Sequence, residues 1–208
     1  MVKKKIKISY SSKYYYDSIS NKYFSGAGIV ILEEIDGIWY SILLKDHTGL
    51  FSDSGGMYES KHQNLEQTAI EELQEESRNL LIIKNNKILS TYIDNYYPKN
   101  NTFYRSYIIN ITDVNYYDFY FNNNLIDSKT RVPFCWRETT HIKKFKLTEL
   151  FDFENKNKEI RSRIYDIMMV HKNIDNLINI IPDKINNKLL IINSDNSFLN
   201  GTKSWILN

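Results

Sequence analysis

The chain has almost no cysteine: Cys135 stands alone among 208 residues. No intrachain disulfide can form, and a reducing, intracellular compartment is the expectation. Long apolar runs are missing too. None approaches the roughly 20 residues that a membrane helix needs, so no spanning segment and no membrane partner are expected. The basic start, "MVKKKIKISY", has no apolar stretch of the signal-peptide kind behind it. His47, His62, His141 and His171 stand apart and offer no zinc-ligand spacing. Charge of one sign is also lacking. Lys and Arg number 27 against 25 Asp and Glu, a formal net charge of +2, so the total implies neither a nucleic-acid partner nor an acidic one.

What is present is an ordinary globular composition, 42% hydrophobic and 25% charged, at a length that suits one sizeable domain. Residues 1–23 read as a basic, tyrosine-rich segment. Residues 24–181 read as the domain, and 182–208 as a tail that can pack on it through a strand at "KLLIIN". "GAGIVILEEI" (26–35) and "GIWYSILLKD" (37–46) are β-branched and aromatic runs meeting at Asp36-Gly37, which predicts an antiparallel hairpin. "DHTGLFSDSGG" (46–56) has the composition of a loop. A helix is predicted from about Asn64 to Arg78, and two strands over 87–97 and 101–112. Residues 114–131 follow no template, and 132–150 mix a short strand with loop. A long helix is predicted over 157–181, ended by Pro182.

The informative stretch is "SGGMYESKHQNLEQTAIEELQEES", residues 54–77. At about 100° per residue, Glu72, Glu75 and Glu76 share one narrow arc beside the core-facing Ala69, Ile70 and Leu73, with Glu71 next to Glu75. Glu71/Glu75, Glu72/Glu76 and Glu72/Glu75 are like-charge pairs, each costing the helix about 0.2–0.5 kcal/mol. Arg78 can reach Glu75 and offers the only nearby relief. The plain reading is a solvated acidic face. A bound divalent cation would reverse the sign of all three terms, because hard cations seek carboxylate oxygens. The Gly-Gly loop ahead of the helix favours the second reading, since glycine lets the backbone approach a ligand closely.

This stretch resembles the signature of the Nudix hydrolase family, G-x5-E-x7-R-E-U-x-E-E-x-G-U with U aliphatic. Gly56 matches the opening glycine, Glu72-Leu73 the E-U pair and Glu75-Glu76 the E-E pair. The chain departs from the pattern by one extra residue between Gly56 and Glu71. His62 or Gln63 stands for the first glutamate, Glu71 for the arginine, Arg78 for the second glycine and Asn79 for the last aliphatic residue. The family's glutamate–arginine ion pair is therefore absent on both sides, which is consistent with a different loop closure. Asn79 suits the left-handed conformation expected at the helix end.

The resemblance implies an α/β (α+β) fold, an α/β/α sandwich with a mixed sheet between helices, over about residues 24–178. It implies hydrolysis of a phosphoanhydride in a nucleoside diphosphate linked to another group, with Mg2+ or Mn2+ as cofactor. Glu72, Glu75 and Glu76 would hold the metal, joined by the carbonyl of Gly55 or Gly56, and one glutamate could act as base. Glu138, in "FCWRETTH", is the candidate for a further catalytic carboxylate. Gly55, Tyr104, Arg105 and Arg137 are candidates for substrate contact, and Trp136 reads as core. The partner would be a nucleotide-type small molecule or capped RNA, the latter through "KKKIK" and "HIKKFK". The alternative is a Nudix-fold module that binds a nucleotide or RNA and hydrolyses nothing.

Overall fold

The computed structural model describes residues 13–78, 80–84, 87, 89–111, 138–185 and 190–192. Its spine is one long strand, β2 (Lys22–Ile35), preceded by β1 (Tyr15–Asp17) and followed by β3 (Ile38–Lys45). Asp36 and Gly37 both have positive φ, 50° and 76°. Ile35 pairs directly with Ile38, so the predicted hairpin closes through the two-residue turn that matches strand twist. β2 changes partner along its length. Its first half carries β5 (Ser54–Met57), antiparallel, from Gly26↔Met57 to Ile29↔Ser54. Its second half carries β3 on from Ile31↔Ile42. Along the other edge lies β8 (Thr102–Asn110), parallel, with β7 (Tyr92–Tyr97) outside it. β4 (Phe51–Ser52) and β9 (His141–Lys146) both pair with β3.

Alternation along the central strands supplies two cores. Ile29, Ile31, Ile42, Tyr107 and Ile109 face helix α1 (Leu65–Glu76) and meet its Leu65, Ala69 and Leu73. Val30, Leu32, Leu43, Ile108 and Phe145 face the other way. They meet α2 (Leu147–Leu150), α3 (Ser162–His171) and α4 (Ile174–Ile178) through Leu150, Ile164, Ile167, Met168 and Leu177. The fold class is thus the α+β sandwich, a mixed sheet between helices, that the resemblance implies.

Four expectations need correction. The stretch read as loop after Lys45 contains β4 and β5, because its glycines let a short strand lie flat on β2. The sheet reaches back into the stretch read as the N-terminal segment. β1 pairs with β2 through Tyr15↔Phe24, and Tyr15 packs on the core. The long helix is broken at Lys172 (φ 65°) into α3 and α4, the second capped by the Asn173 side chain. The strand predicted from 87 starts only at Tyr92, and a separate β6 (Leu81–Ile83) pairs antiparallel with β10 (Leu190–Ile192), which lies within the predicted tail strand. Residues 114–131 lie outside the described residues. Among those described, no helix is long and apolar enough to cross a membrane.

Candidate active site

The site forms where β2 exchanges β3 for β5. The chain leaves β4 at Ser52, crosses at Asp53 and joins β2 at Ser54. Gly28 pairs with Gly55 and Ala27 with Gly56. A methyl group on Gly56 would occupy the space of the Glu72 carboxylate, and one on Gly28 would overlap the Ser54 carbonyl. Missing side chains therefore let α1 lay carboxylates directly on strand backbone. Asn64 starts that helix by accepting from the Gln67 N–H at 2.8 Å. The buried stripe of Leu65, Thr68, Ala69 and Leu73 then sets its rotation. Glu76, at the helix end, accepts a hydrogen bond from the Gly55 N–H at 2.9 Å.

The electrostatics follow from this enclosure. Burial pushes the Glu72 carboxyl up to about 7, and Glu75, Glu138 and Glu59 push in the same direction against Lys61. Glu76 is raised well above the usual carboxylate range, first by burial and then by Glu72. The Gly55 N–H and Arg163 oppose that shift. Glu138 lines a cavity of about 190 Å3 with Asp46, Asp53, Glu76, Arg161 and Arg163. Its position is secured from α1. Arg78 is fully buried and donates from Nη2 to the Thr139 carbonyl at 2.6 Å. Arg78 also takes φ 53°, the left-handed conformation expected one residue later, so the position equivalent to the box glycine keeps glycine's geometry with a different side chain. Arg78 thus reaches the loop that carries Glu138. Asn79 lies outside the described residues.

The other candidates divide. Tyr104 is buried and lines a larger cavity of about 540 Å3 together with Gly55 and Gly56. The Gly56 carbonyl, read as a metal ligand, lies instead against Gly26 of β2. What Gly56 contributes is room for Glu72. Arg105, read as a substrate contact, is engaged within the sheet. It donates to Asp94 at 2.8 Å and to Asp17 at 3.5 Å, and it stacks on the rings of Tyr92 and Phe24. Tyr104 and Arg105 point to opposite faces because strand neighbours alternate. Arg137 and Trp136 lie outside the described residues. Lys144 of "HIKKFK" is paired with the buried Glu33.

The loop closure is the main correction to the sequence reading. The family's ion pair is absent, as the sequence reads, but its place is not left empty: a pair of different chemistry fills it. The buried His62 places Nε2 3.0 Å from Oε2 of Glu71, and Lys61 stands 3.5 Å from the same oxygen. Nδ1 of His62 accepts from the Glu59 N–H, with the Thr68 hydroxyl 2.9 Å away. The tautomer that satisfies all of these contacts carries its proton on Nε2 and donates it to Glu71. Glu71 is also held by Gln67, and its carboxyl is brought below the usual range, burial being outweighed by Gln67, His62 and Lys61.

A clear result follows for Glu71→Arg. The substitution restores the pattern's residue but strands the buried His62 donor and sets a cation beside Lys61. It should destabilise the fold by about 1–3 kcal/mol and leave hydrolysis no faster. Denaturant unfolding checks the first outcome and turnover the second; a gain in both would mean that His62 is not the partner.

Two site residues were not singled out from sequence, Asp53 and Arg163. Asp53 is 1% exposed. One of its oxygens accepts from Arg163 Nε at 2.9 Å and lies 2.7 Å from Nη2, and its other oxygen has no partner among the described residues. The available signals were slight: an acid directly ahead of Ser54-Gly55-Gly56, and two arginines at the start of an amphipathic helix. Neither shows that strand crossing and helix meet. Among the described residues, no group of three or more acidic, histidine or cysteine side chains already stands in metal-binding geometry. The donors are nonetheless all oxygens, as Mg2+ or Mn2+ requires, and burial, with the two carboxyls close together, raises Glu72 and Glu76.

No family model and no curated protein matches the chain. Solved structures similar to it include a C. elegans Ap4A hydrolase in a binary complex, at 14% identity and a TM-score of 0.42, covering 69% of this chain and 92% of that one. The NUDIX domain of Shewanella oneidensis NrtR complexed with ADP ribose is similar at 14% identity and a TM-score of 0.36, covering 65% and 80%. A NUDIX hydrolase from Nitrosomonas europaea is similar at 12% identity and a TM-score of 0.37, covering 70% and 89%. At identities of this order, activity has to be read from the residues of this chain.

Proposed function

We propose that the chain is a Nudix-type pyrophosphohydrolase, dependent on Mg2+ or Mn2+, that cleaves a nucleoside diphosphate linked to another group. The observation that carries this reading is the enclosure of Glu72 and Glu76 on the Gly55-Gly56 strand, with Glu138 brought to the cavity that Glu76 lines. Glu72, Glu75 and Glu76 would hold the ion, which when bound neutralises phosphate oxygens and activates water. Each residue then has a defined task. Glu138, tethered through Thr139 and Arg78, takes the proton from the attacking water. Arg163, clamped by Asp53, donates to a phosphate oxygen. Tyr104, beside Gly55 and Gly56, forms one wall of the substrate cavity. A nucleotide-type small molecule is the expected partner. Capped RNA is the extended form of that substrate, with "KKKIK" as its added contact.

A second reading, a nucleotide-binding module without hydrolysis, is favoured by the lack of a ready-made three-ligand group among the described residues. A panel of nucleotide sugars, dinucleoside polyphosphates, oxidised nucleotides, inositol pyrophosphates and capped RNA, assayed with Mg2+ and with Mn2+, separates the two. Release of a nucleotide and a phosphate-bearing product supports the hydrolase. Saturable binding without product supports the module.

A further inference from the structure

The larger cavity has a charge pattern that the glutamate cluster does not explain. Among the described residues, its lining includes Lys158, Arg161 and Arg163 and no acidic side chain. The acids that balance the two arginines, Asp46 and Asp53, line the smaller cavity instead. The arginines thus form the wall between an acidic space and a cationic one. Both are held from the acidic side. Arg161 donates to Asp46 and to the Thr48 hydroxyl. Arg163 donates to Asp53 and, at 3.1 Å, to the Ser52 hydroxyl, and its guanidinium lies 4.4 Å from the Tyr104 ring centre. Lys158 is exposed and makes no ion pair among the described residues.

Two more observations point into the same space. α3 begins there: its N-cap residue, Arg161, makes no side-chain capping bond, and Ser162 and Arg163 of the first turn line the cavity. The first N–H groups of a helix and its dipole favour an anion. Tyr104, 4% exposed, lines the same cavity, and its hydroxyl, set against Gly28 and Gly55, has no partner among the described residues.

We infer that the larger cavity is a second anion site, distinct from the glutamate cluster, which takes a phosphate group of the substrate beyond the one at the carboxylates. The substrate class is then a nucleotide bearing a chain of three or more phosphates, in preference to a single pyrophosphate flanked by an uncharged sugar. The substrate assignment rests on the hydrolase reading above; the anion site does not. Lys158, Arg161 and the α3 N-terminus hold the distal phosphate, and Arg163 is shared between the two spaces. A single pyrophosphate leaves Lys158 without an ionic partner, and a longer chain supplies one.

The test uses the full chain freed of metal by a chelating resin, with inorganic tripolyphosphate as the probe in a calorimetric titration. Wild type should bind it, more weakly as salt rises. Lys158→Gln should bind about tenfold more weakly, as expected for one lost charge-assisted contact, and Lys158→Glu more weakly still. Melting temperatures should not move, because Lys158 is exposed and unpaired among the described residues. In turnover, KM for a nucleotide with four linked phosphates should rise about tenfold in Lys158→Gln while kcat holds. Absence of metal-free binding by wild type overturns the site even if hydrolysis is found, as does equal binding by both variants. Lys158-dependent binding with no hydrolysis of any substrate upholds the site and removes the hydrolase reading.

Discussion

Glu76→Gln should lower kcat on the order of 10²–10³-fold or more while the protein stays folded. The reason is the double duty of this side chain. One oxygen accepts from the Gly55 N–H, and a glutamine oxygen can do the same, so the strand–helix contact survives. The negative charge does not survive, and under the proposed function a metal ligand beside Gly55 goes with it. Burial already raises Glu76 well above the usual carboxylate range. The neutral amide therefore costs the metal-free protein nothing and should stabilise it at neutral pH. Steady-state kinetics with Mg2+ and with Mn2+, paired with a thermal melt of the metal-free protein, reads both effects. Full activity in Glu76→Gln and in the matching Glu75→Gln would rule the site out. Lost activity with a lowered melting temperature would make Glu76 a structural residue.

Metal-free stability should fall as pH rises from about 4.5 to about 7, and divalent metal should remove that fall. Glu72 is ordinary in the unfolded chain and is displaced from 4.5 to about 7 in the fold. In that window the unfolded carboxyl has lost its proton and the folded one keeps it, so the folded state binds more protons. The contribution is fully present below about 4.5 and lost as pH climbs through about 7; the displacement corresponds to roughly 3–3.5 kcal/mol. Asp46 and Glu71, held below their usual values by Arg161 and by Gln67 and His62, act with the opposite sign. Their stabilisation is present above the unfolded range and is lost as pH falls. The difference between wild type and Glu72→Gln isolates the cluster.

Metal that binds the ionised glutamates should add stability by mass action, about 2.7 kcal/mol at a hundredfold excess over Kd. Melting temperature across pH 4–8, with and without Mg2+ or Mn2+, is the measurement. An equal metal response in the two proteins places the ion elsewhere. No response in either returns the helix to a plain acidic surface.

The helix and its acids were legible because they depend on neighbours along the chain. Asn64 caps, Leu65, Ala69 and Leu73 repeat at helical spacing, and Glu72, Glu75 and Glu76 inherit their face from that repeat. The β2–β3 hairpin was legible for the same reason, since Asp36-Gly37 and the flanking apolar runs specify a two-residue turn within one local segment. The parallel β2–β8 pairing, the transfer of β2 from β3 to β5, and the joining of Arg163 to Asp53 were decided only by the tertiary structure. These contacts link residues far apart in the chain, where no local spacing records the partner.

His62 shows the boundary most sharply. The sequence shows a box without its ion pair, and folding brings a buried imidazole and Glu71 within 3.0 Å. A donor and an acceptor were still required at that point, because a buried polar group without a partner costs about 1–3 kcal/mol. Which residues would supply them depended on the path of the loop. That path was set by the extra residue, by the glycines against β2 and by the packing of α1 on the sheet.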